Sequence, residues 1–522
     1  MVSRLGQIAM AVIGMLLAIA ASAQPSMPMG PEEARHLLLR TSFHAAPGEV
    51  RALAGLTRSE AVDWLLDSAR TAPSTHPSPE LDRWTPRSEL RAMSPQDRRA
   101  RLRHTIEQGQ ALRGWWFGEM LATPSSFTER MTLFWHNHFV SSLRKVRPTR
   151  LMYRQNLLLR RHALGSFRDM LHAVARDPAM ILYLDNASNR KGKPNENFAR
   201  EVMELFTLGE GNYSEQDVKE AARAFTGWGI DGETGAFRFR PALHDGGVKT
   251  ILGRSGAFDG DEVLDILLAQ PQTAESIVRK LWREFVSPDP DPDEIRRLAD
   301  IFRRTGYDVR AAMRALLTSE AFFAEANRAT LVKSPVELLV GTLRQFRFDV
   351  GDVYPFVVIS RQLGQDLMAP PNVKGWPGGE AWINAGTLLA RKQIMERLFR
   401  NGERSPSAAT ATPAAMAGNS MAGNSMTGNA MAGNAMAGNA MAGNAMAGNA
   451  NAMAAPAPTR YQKAMRSVRF DPARWASQLE RGTVDEIEAA MLPARPLNPV
   501  TRAPDQLALV RQLALDPVYQ LK

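Results

Sequence analysis

The chain has 522 residues, contains no cysteine and carries a formal net charge of +10. Without cysteine it has no disulfides, no thiolate nucleophile and no cysteine-ligated metal. Its length is sufficient for one or two hydrophobic cores of ordinary size, which must hold the fold without covalent cross-links. The positive charge suits an anionic lipid or polysaccharide surface. Acidic residues are interspersed among the basic ones, so ordinary solvated helix faces are the alternative explanation.

The N-terminus has the pattern of a secretory signal peptide. Arg4 precedes an apolar run over residues 8–20, and residues 21–23 read Ala-Ser-Ala, a small-residue cleavage site. A membrane anchor is the alternative, but the run is short for about 30 Å of hydrocarbon. We therefore predict a signal peptide over 1–23, a mature chain from Gln24, and export to the periplasm or the medium. We expect no integral membrane span in the mature chain, and an exported chain is a poor candidate for binding nucleic acid.

Residues 24–400 predict a mainly α-helical, multi-helix globular domain. Apolar residues recur at three- and four-residue spacing, for example over 58–69, 151–162 and 274–286, with short Pro/Gly breaks between segments. Strand-like alternation is scarce. The best example is 236–240, where Phe237 and Phe239 alternate with arginines, and we expect at most a small β-hairpin there.

Residues 401–457 predict a flexible low-complexity linker. A five-residue unit, Met-Ala-Gly-Asn-Ala or a close variant, repeats over 416–450. Its Gly and Asn content disfavours a helix, and it offers too little apolar surface to fold. Its thioethers are soft ligands that could bind copper(I), but we favour a linker. Residues 458–522 are helical in pattern and are expected to pack back on the main domain.

Two histidines one residue apart, His136 and His138, are the first candidates for a metal site. On a strand both would share a face. A capping-box pattern at Ser126 and Glu129 instead predicts a helix, on which the two imidazoles point about 200° apart. In that helix His138 lies on the apolar stripe and His136 lies off it. Buried structural histidines are then the alternative to metal ligands.

Residues 195–209 form the most regular helix pattern. Phe198, Val202 and Phe206 are predicted to face inward. Glu201 borders this stripe, and with Glu204 it could hold a divalent metal or act as an acid–base pair. The alternative is that both carboxylates pair with arginines.

Two further candidates lie in loops. His244 and Asp245 follow a helix whose start matches a Ser214/Asp217 capping pattern, and loops carry functional residues more often than helix faces do. Trp376 and Trp382 lie in a Pro/Gly-rich loop over 370–382. They could form either a structural plug or the wall of a site for a flat ligand such as a sugar ring.

These segments together resemble a large bacterial family known as domain of unknown function 1800. The resemblance rests on residues 36–43, 134–139, 195–209, 217–228, 333–337 and 370–382. It implies an exported, largely helical protein. Members are often encoded beside another exported, uncharacterised family, so the resemblance also implies a partner protein. It implies no established activity, and no catalytic residue is carried over.

The sequence leaves two functional hypotheses. The first is an envelope or secreted protein that acts with a partner or on an anionic or polysaccharide surface. The second is a metal-dependent hydrolase or oxidoreductase built from the His, Glu and Asp candidates. An enzyme of this kind requires several of those side chains around one cleft.

Overall fold

The computed structural model describes residues 27–402, 459–500 and 503–522. In these ranges the chain is mainly α-helical with two short hairpins, which confirms the predicted fold class. The predicted signal peptide and the Met-Ala-Gly-Asn repeat lie outside the described residues. No helix in the described ranges is long and apolar enough to cross a membrane.

The first part of the described fold contains eleven α-helices. They are α1 (Gly30–Thr41), α2 (Pro47–Ala54), α3 (Arg58–Asp67), α4 (Arg87–Ala92), α5 (Pro95–Ala122), α6 (Ser126–His138), α7 (Thr149–Arg161), α8 (Phe167–Ala175), α9 (Pro178–Tyr183), α10 (Asn197–Glu201) and α11 (Glu215–Ala224).

Two hairpins follow α11. Strands β1 (Trp228–Ile230) and β2 (Phe237–Phe239) pair antiparallel, which confirms the predicted hairpin. Strands β3 (Lys249–Ile251) and β4 (Arg254–Gly256) form a second hairpin that was not predicted. Its two turn residues, Leu252 and Gly253, both have positive φ, the geometry of the tightest hairpin turns.

The remaining helices complete the fold. They are α12 (Gly260–Ala269), α13 (Pro271–Phe285), α14 (Pro292–Arg304), α15 (Val309–Leu317), α16 (Glu320–Phe323), α17 (Pro335–Gln345), α18 (Tyr354–Gln362), α19 (Ala385–Gly402), α20 (Arg460–Ser467), α21 (Pro472–Ala476), α22 (Val484–Met491) and α23 (Gln506–Leu515).

The helices enclose two hydrophobic clusters, and α6 contributes to both. Met131 and Trp135 belong to the cluster built from α1–α3 and α8–α15. Leu133 belongs to the cluster that α5, α17, α18, α19 and the C-terminal helices form. The C-terminal end of α6, which carries His136 and His138, therefore lies where the two clusters meet.

The C-terminal segment shares the second cluster with α17. The Tyr519 hydroxyl lies 2.8 Å from the Thr342 hydroxyl, and both side chains are buried. The backbone N–H of Lys333 donates to the carbonyl of Gln520 at 2.8 Å. These contacts bring Lys522, 4 % exposed, beside the N-terminus of α17.

Two local predictions for α6 are wrong. The helix begins at Ser126 without a side-chain cap, and Glu129 is fully buried in an ion pair with Arg160 instead of closing a capping box. His136 was expected off the apolar stripe, but it is 1 % exposed. The cause is that α6 lies between the two clusters, so most of its polar residues are buried as well.

The structure differs in part from the regular helix that the sequence predicts over 195–209. Phe198, Val202 and Phe206 are buried as predicted, and Gly209 ends the element with a φ of +84°. After α10, however, the chain widens into a π-helix over Val202–Thr207. Such widened turns occur frequently at functional sites.

Candidate functional site

A cavity of about 500 Å³ opens beside the C-terminal end of α6. It lies between α6, α13, the N-terminus of α17 and the tryptophan loop over 373–382. We refer to it as the tryptophan cavity. Its lining is aromatic and cationic and includes Asn137, His138, Lys280, Arg283, Lys374, Trp376 and Trp382.

Lys280 on α13 is held against the end of the π-helix. Its ammonium donates to the carbonyl of Leu205 at 2.6 Å and to Nδ1 of His138 at 3.1 Å. The π-helix ends at Thr207, and the N–H of the next residue, Leu208, bonds the carbonyl of Met203, so the Leu205 carbonyl belongs to the last, unpaired turn. A cation is favourable at this negative end of the helix dipole.

No carboxylate pairs with Lys280 in the described part of the chain. Burial, with a smaller contribution from Arg283, lowers the pKa of Lys280 to about 8. An ammonium has three hydrogens to donate, and Leu205 and His138 accept two of them. The third remains for a group in the tryptophan cavity.

His138 is a neutral imidazole. Burial is the main cause that lowers its pKa well below the ordinary value, and the nearby Lys280 charge lowers it further. Because Nδ1 accepts from Lys280, the ring proton is assigned to Nε2. The ring packs among Phe134, Phe139 and Phe206.

His136 points away from His138, into the interior between α5 and the tryptophan loop. Its ring lies edge-on to Trp116, with centroids 5.3 Å apart, and 5.7 Å from the ring of Trp376. Burial alone lowers its pKa to about 4. The two histidines therefore do not face a common centre.

Asn137, between the two histidines, anchors the tryptophan loop. Its Oδ1 accepts from the backbone N–H of Trp376 at 2.7 Å, and its Nδ2 donates to the Trp376 carbonyl at 3.4 Å. Gly375 has a φ of +85°, and a Cβ there would lie 2.3 Å from Asn137 Oδ1. Only glycine permits this close approach.

Trp376 and Trp382 form one wall of the tryptophan cavity. They are 4 % and 6 % exposed. The indole N–H of Trp376 is buried and has no hydrogen-bond partner in the described part of the chain. A buried donor without a partner is costly, so this group favours an acceptor from a ligand or water.

Four charged side chains form an ion cluster on the floor of the tryptophan cavity. The Arg130 guanidinium contacts Glu284 at 2.8 Å and also pairs with Glu337. The Lys522 ammonium pairs with Glu337 and lies 3.5 Å from Glu284. Two cations and two carboxylates balance, so the floor adds no net charge. Lys280 and the exposed rim residues Arg283 and Lys374 outnumber the one remaining lining carboxylate, the exposed Glu380, so the lining is net positive.

Glu201 and Glu204 lie near this rim but do not reach the histidines. Burial raises the pKa of Glu201, and the charge of Glu204 adds to the effect, while Arg200 and Lys374 oppose it. Glu204 accepts a hydrogen bond from the Tyr213 hydroxyl at 2.6 Å.

His244 and Asp245 belong to a separate loop. His244 Nδ1 lies 3.0 Å from the Thr226 carbonyl, and Asp245 pairs with Arg223 at 2.8 Å. The Arg223 hydrogen bond is the main cause that lowers the pKa of Asp245 to about 2. Across the described ranges, no three His, Asp or Glu side chains are grouped so that they could hold a metal ion.

The sequence identified Trp376, Trp382 and His138 as candidates but missed Lys280 and the ion cluster. Glu337 lies in a segment that carries the family resemblance, and it closes a capping box with Ser334. Lys280 had only a weak signal, a lysine beside the apolar stripe of α13.

The fold and cavity define a largely helical protein with a cationic, tryptophan-walled cavity. The sequence model of the family described as "Protein of unknown function (DUF1800)" matches residues 36–519, so the chain belongs to this family. The resemblance read from the sequence motifs is thereby confirmed. Comparisons with curated proteins and with solved structures gave no match.

Proposed function

We propose that the protein is exported and that it binds an anionic saccharide in the tryptophan cavity. The observation that carries the proposal is Lys280, a half-buried cation that lines the cavity and has no carboxylate partner in the described part of the chain. A charge partly withdrawn from water without a counter-ion is unfavourable, and an anionic ligand would compensate it.

The rest of the lining supports a saccharide as the anion. Indole rings offer flat apolar faces with a polar edge, which suits sugar rings. The cavity volume of about 500 Å³ lies within the range of about 300–1,000 Å³ typical of small-ligand sites.

The metal-dependent hydrolase or oxidoreductase has less support. Its proposed ligands fall into separate groups: His136 beside Trp116, His138 against Lys280, Glu201 and Glu204 near the rim, and the His244–Asp245 loop. We therefore favour binding over metal-dependent chemistry.

The proposal is tested by isothermal titration of the mature protein with tetragalacturonate, a uronic-acid oligosaccharide. Maltotetraose serves as the neutral ligand. We expect the protein to bind the uronate and not the neutral oligosaccharide. Lys280→Met should weaken uronate affinity by about 10- to 100-fold, which corresponds to the loss of one charge-assisted hydrogen bond. Lys219→Met, which removes an exposed lysine on α11, should leave the affinity unchanged.

Two outcomes would contradict the proposal. One is uronate affinity that is equal in Lys280→Met and Lys219→Met, provided that both variants keep the wild-type melting temperature. The other is equal affinity for the neutral oligosaccharide. Trp382→Ala offers a second variant, which should weaken uronate binding without removing a charge.

Export rests on the N-terminal pattern and is tested separately. N-terminal sequencing of the protein from the cell envelope or the medium should give Gln24 as the first residue. Intact Met1 in that fraction would contradict export by this signal.

A further inference from the structure

A second surface, distinct from the tryptophan cavity, has an unusual combination of apolar and cationic residues. It runs along the first half of α5. Leu102 and Ile106 lie one turn apart on this helix and are 48 % and 58 % exposed. Large apolar side chains at this spacing normally face a core or a partner.

Two adjoining depressions flank these residues. Their volumes are about 460 and 450 Å³, and both are lined by Leu102, Thr105 and Arg147. Together they follow α5 from Arg98 to Arg113, a distance of about 22 Å at the helical rise of 1.5 Å per residue. We call this combined surface the α5 groove. None of its lining residues lines the tryptophan cavity.

The α5 groove carries an excess of positive charge. Seven arginines line it, against the three carboxylates of Glu80, Glu89 and Asp366. Of these seven arginines, only Arg113 and Arg144 form ion pairs with described residues, and both share Asp366, at 2.9 and 3.8 Å. Arg147 and Arg361 are exposed, and neither pairs with a carboxylate of the described ranges.

We propose that the α5 groove binds an acidic amphipathic helix of a partner protein. The length of the groove matches about four helical turns, and Leu102 and Ile106 supply apolar contacts for the apolar face of such a helix. The guanidinium groups that line the groove can each donate two hydrogen bonds to one carboxylate, so they suit the acidic side chains of such a helix. A small anion would use only one end of the groove, and a flat bilayer surface would not fill its depressions.

The proposal is tested with a synthetic acidic peptide and fluorescence anisotropy. The peptide has about 15 residues, with leucines at four-residue spacing and glutamates between them, and carries a fluorophore. We expect saturable binding that falls at least tenfold in the Arg147→Glu/Arg361→Glu variant and in Ile106→Asp. The matched control is Arg303→Glu/Arg304→Glu, which reverses two exposed arginines on α14 and should bind like the wild type.

Three results would overturn the proposal. The first is no saturable binding of the peptide to the wild-type protein. The second is equal loss of binding in the groove variant and the α14 control, which would indicate nonspecific charge attraction. The third is groove-dependent binding to phosphatidylglycerol vesicles but not to the peptide, which would assign the surface to a membrane. All substituted side chains are exposed, so unchanged melting temperatures verify that the variants are folded.

Discussion

Lys280 donates a hydrogen bond to Nδ1 of His138 at 3.1 Å, and neither side chain is paired with a carboxylate in the described part of the chain. The two residues are 142 positions apart, on α13 and α6. Their contact keeps the imidazole neutral and the ammonium directed to the edge of the tryptophan cavity. In the proposed function, the pair is the preformed site for the negative group of the ligand.

The first prediction concerns the pH dependence of uronate binding. The pKa of Lys280 is about 8, so its charge is present below pH 8 and is lost above it, while the uronate stays ionised throughout. Affinity should fall about 30-fold between pH 7 and pH 9.5, as the protonated fraction falls. Isothermal titration across this range measures it. A flat profile would show that Lys280 does not contact the ligand.

The second prediction concerns the anchor of the tryptophan wall. Asn137→Ala removes both hydrogen bonds to the Trp376 backbone, so the loop should loosen and uronate affinity should fall about tenfold, the value of 1–2 kcal/mol. Gln216→Ala, at an exposed position on α11, is the control and should change nothing. Wild-type affinity in Asn137→Ala would mean that Trp376 is positioned by other contacts.

A third prediction concerns a buried ion cluster of the core. Arg160 is 1 % exposed and pairs with Glu129, and Glu119 lies 3.9 Å from it. Arg160→Met leaves two buried carboxylates without their cation and should cost about 3–5 kcal/mol in the free energy of unfolding. Arg297→Met breaks the exposed pair with Glu294 and should cost less than about 1 kcal/mol. Urea unfolding measures the loss of unfolding free energy in both variants. Equal losses would contradict the prediction that the buried Arg160 cluster stabilises the fold more than the Arg297–Glu294 pair does.

The fourth prediction concerns stability in acid. Burial lowers the pKa of His36 and His44 to about 3 and that of His136 to about 4. The unfolded chain takes up these protons near pH 6.5, so the stabilisation is complete above pH 6.5 and is lost as the pH falls towards 4. Each histidine should cost about 1.4 kcal/mol per pH unit below about pH 6.

Urea unfolding between pH 7 and pH 5 measures this slope. His136→Gln should reduce it by the contribution of one proton. His104→Gln, at an exposed histidine, should leave it unchanged. Stability that is constant over this range would contradict the prediction.

The fifth prediction concerns Glu201. Burial and Glu204 both raise its pKa, so its charge is unfavourable in the folded state. Glu201→Gln should keep or slightly raise the melting temperature, since it removes that charge. If the melting temperature falls by several degrees, Glu201 is a structural group. Elemental analysis of the purified proteins measures bound metal. A metal present in the wild type and lost in Glu201→Gln would instead support the metal-dependent hypothesis.

The fold class could be predicted because it depends on local patterns. The inward-facing Phe198, Val202 and Phe206 and the β1–β2 hairpin follow from spacing along a few residues. The second hairpin was missed because its strands, Lys249–Ile251 and Arg254–Gly256, lack the apolar alternation that β2 has.

The site depends on contacts that local patterns do not contain. Glu129 matches a capping pattern with Ser126 but pairs with Arg160 on a different helix. A glutamate can either cap a helix or pair with a buried arginine. Only the packing of α6 against α7 decides which of these roles Glu129 takes. Lys280 becomes a site residue because α13 packs against the π-helix that carries Leu205, and no spacing in the sequence indicates that contact.

The most direct test of the account is a crystal structure of the mature protein soaked with digalacturonate. The account predicts one sugar ring against Trp376 and Trp382, with its carboxylate accepting the third hydrogen of Lys280. Digalacturonate bound elsewhere, or a tryptophan cavity that holds only water at saturating ligand, would contradict the proposal that this cavity binds an anionic saccharide.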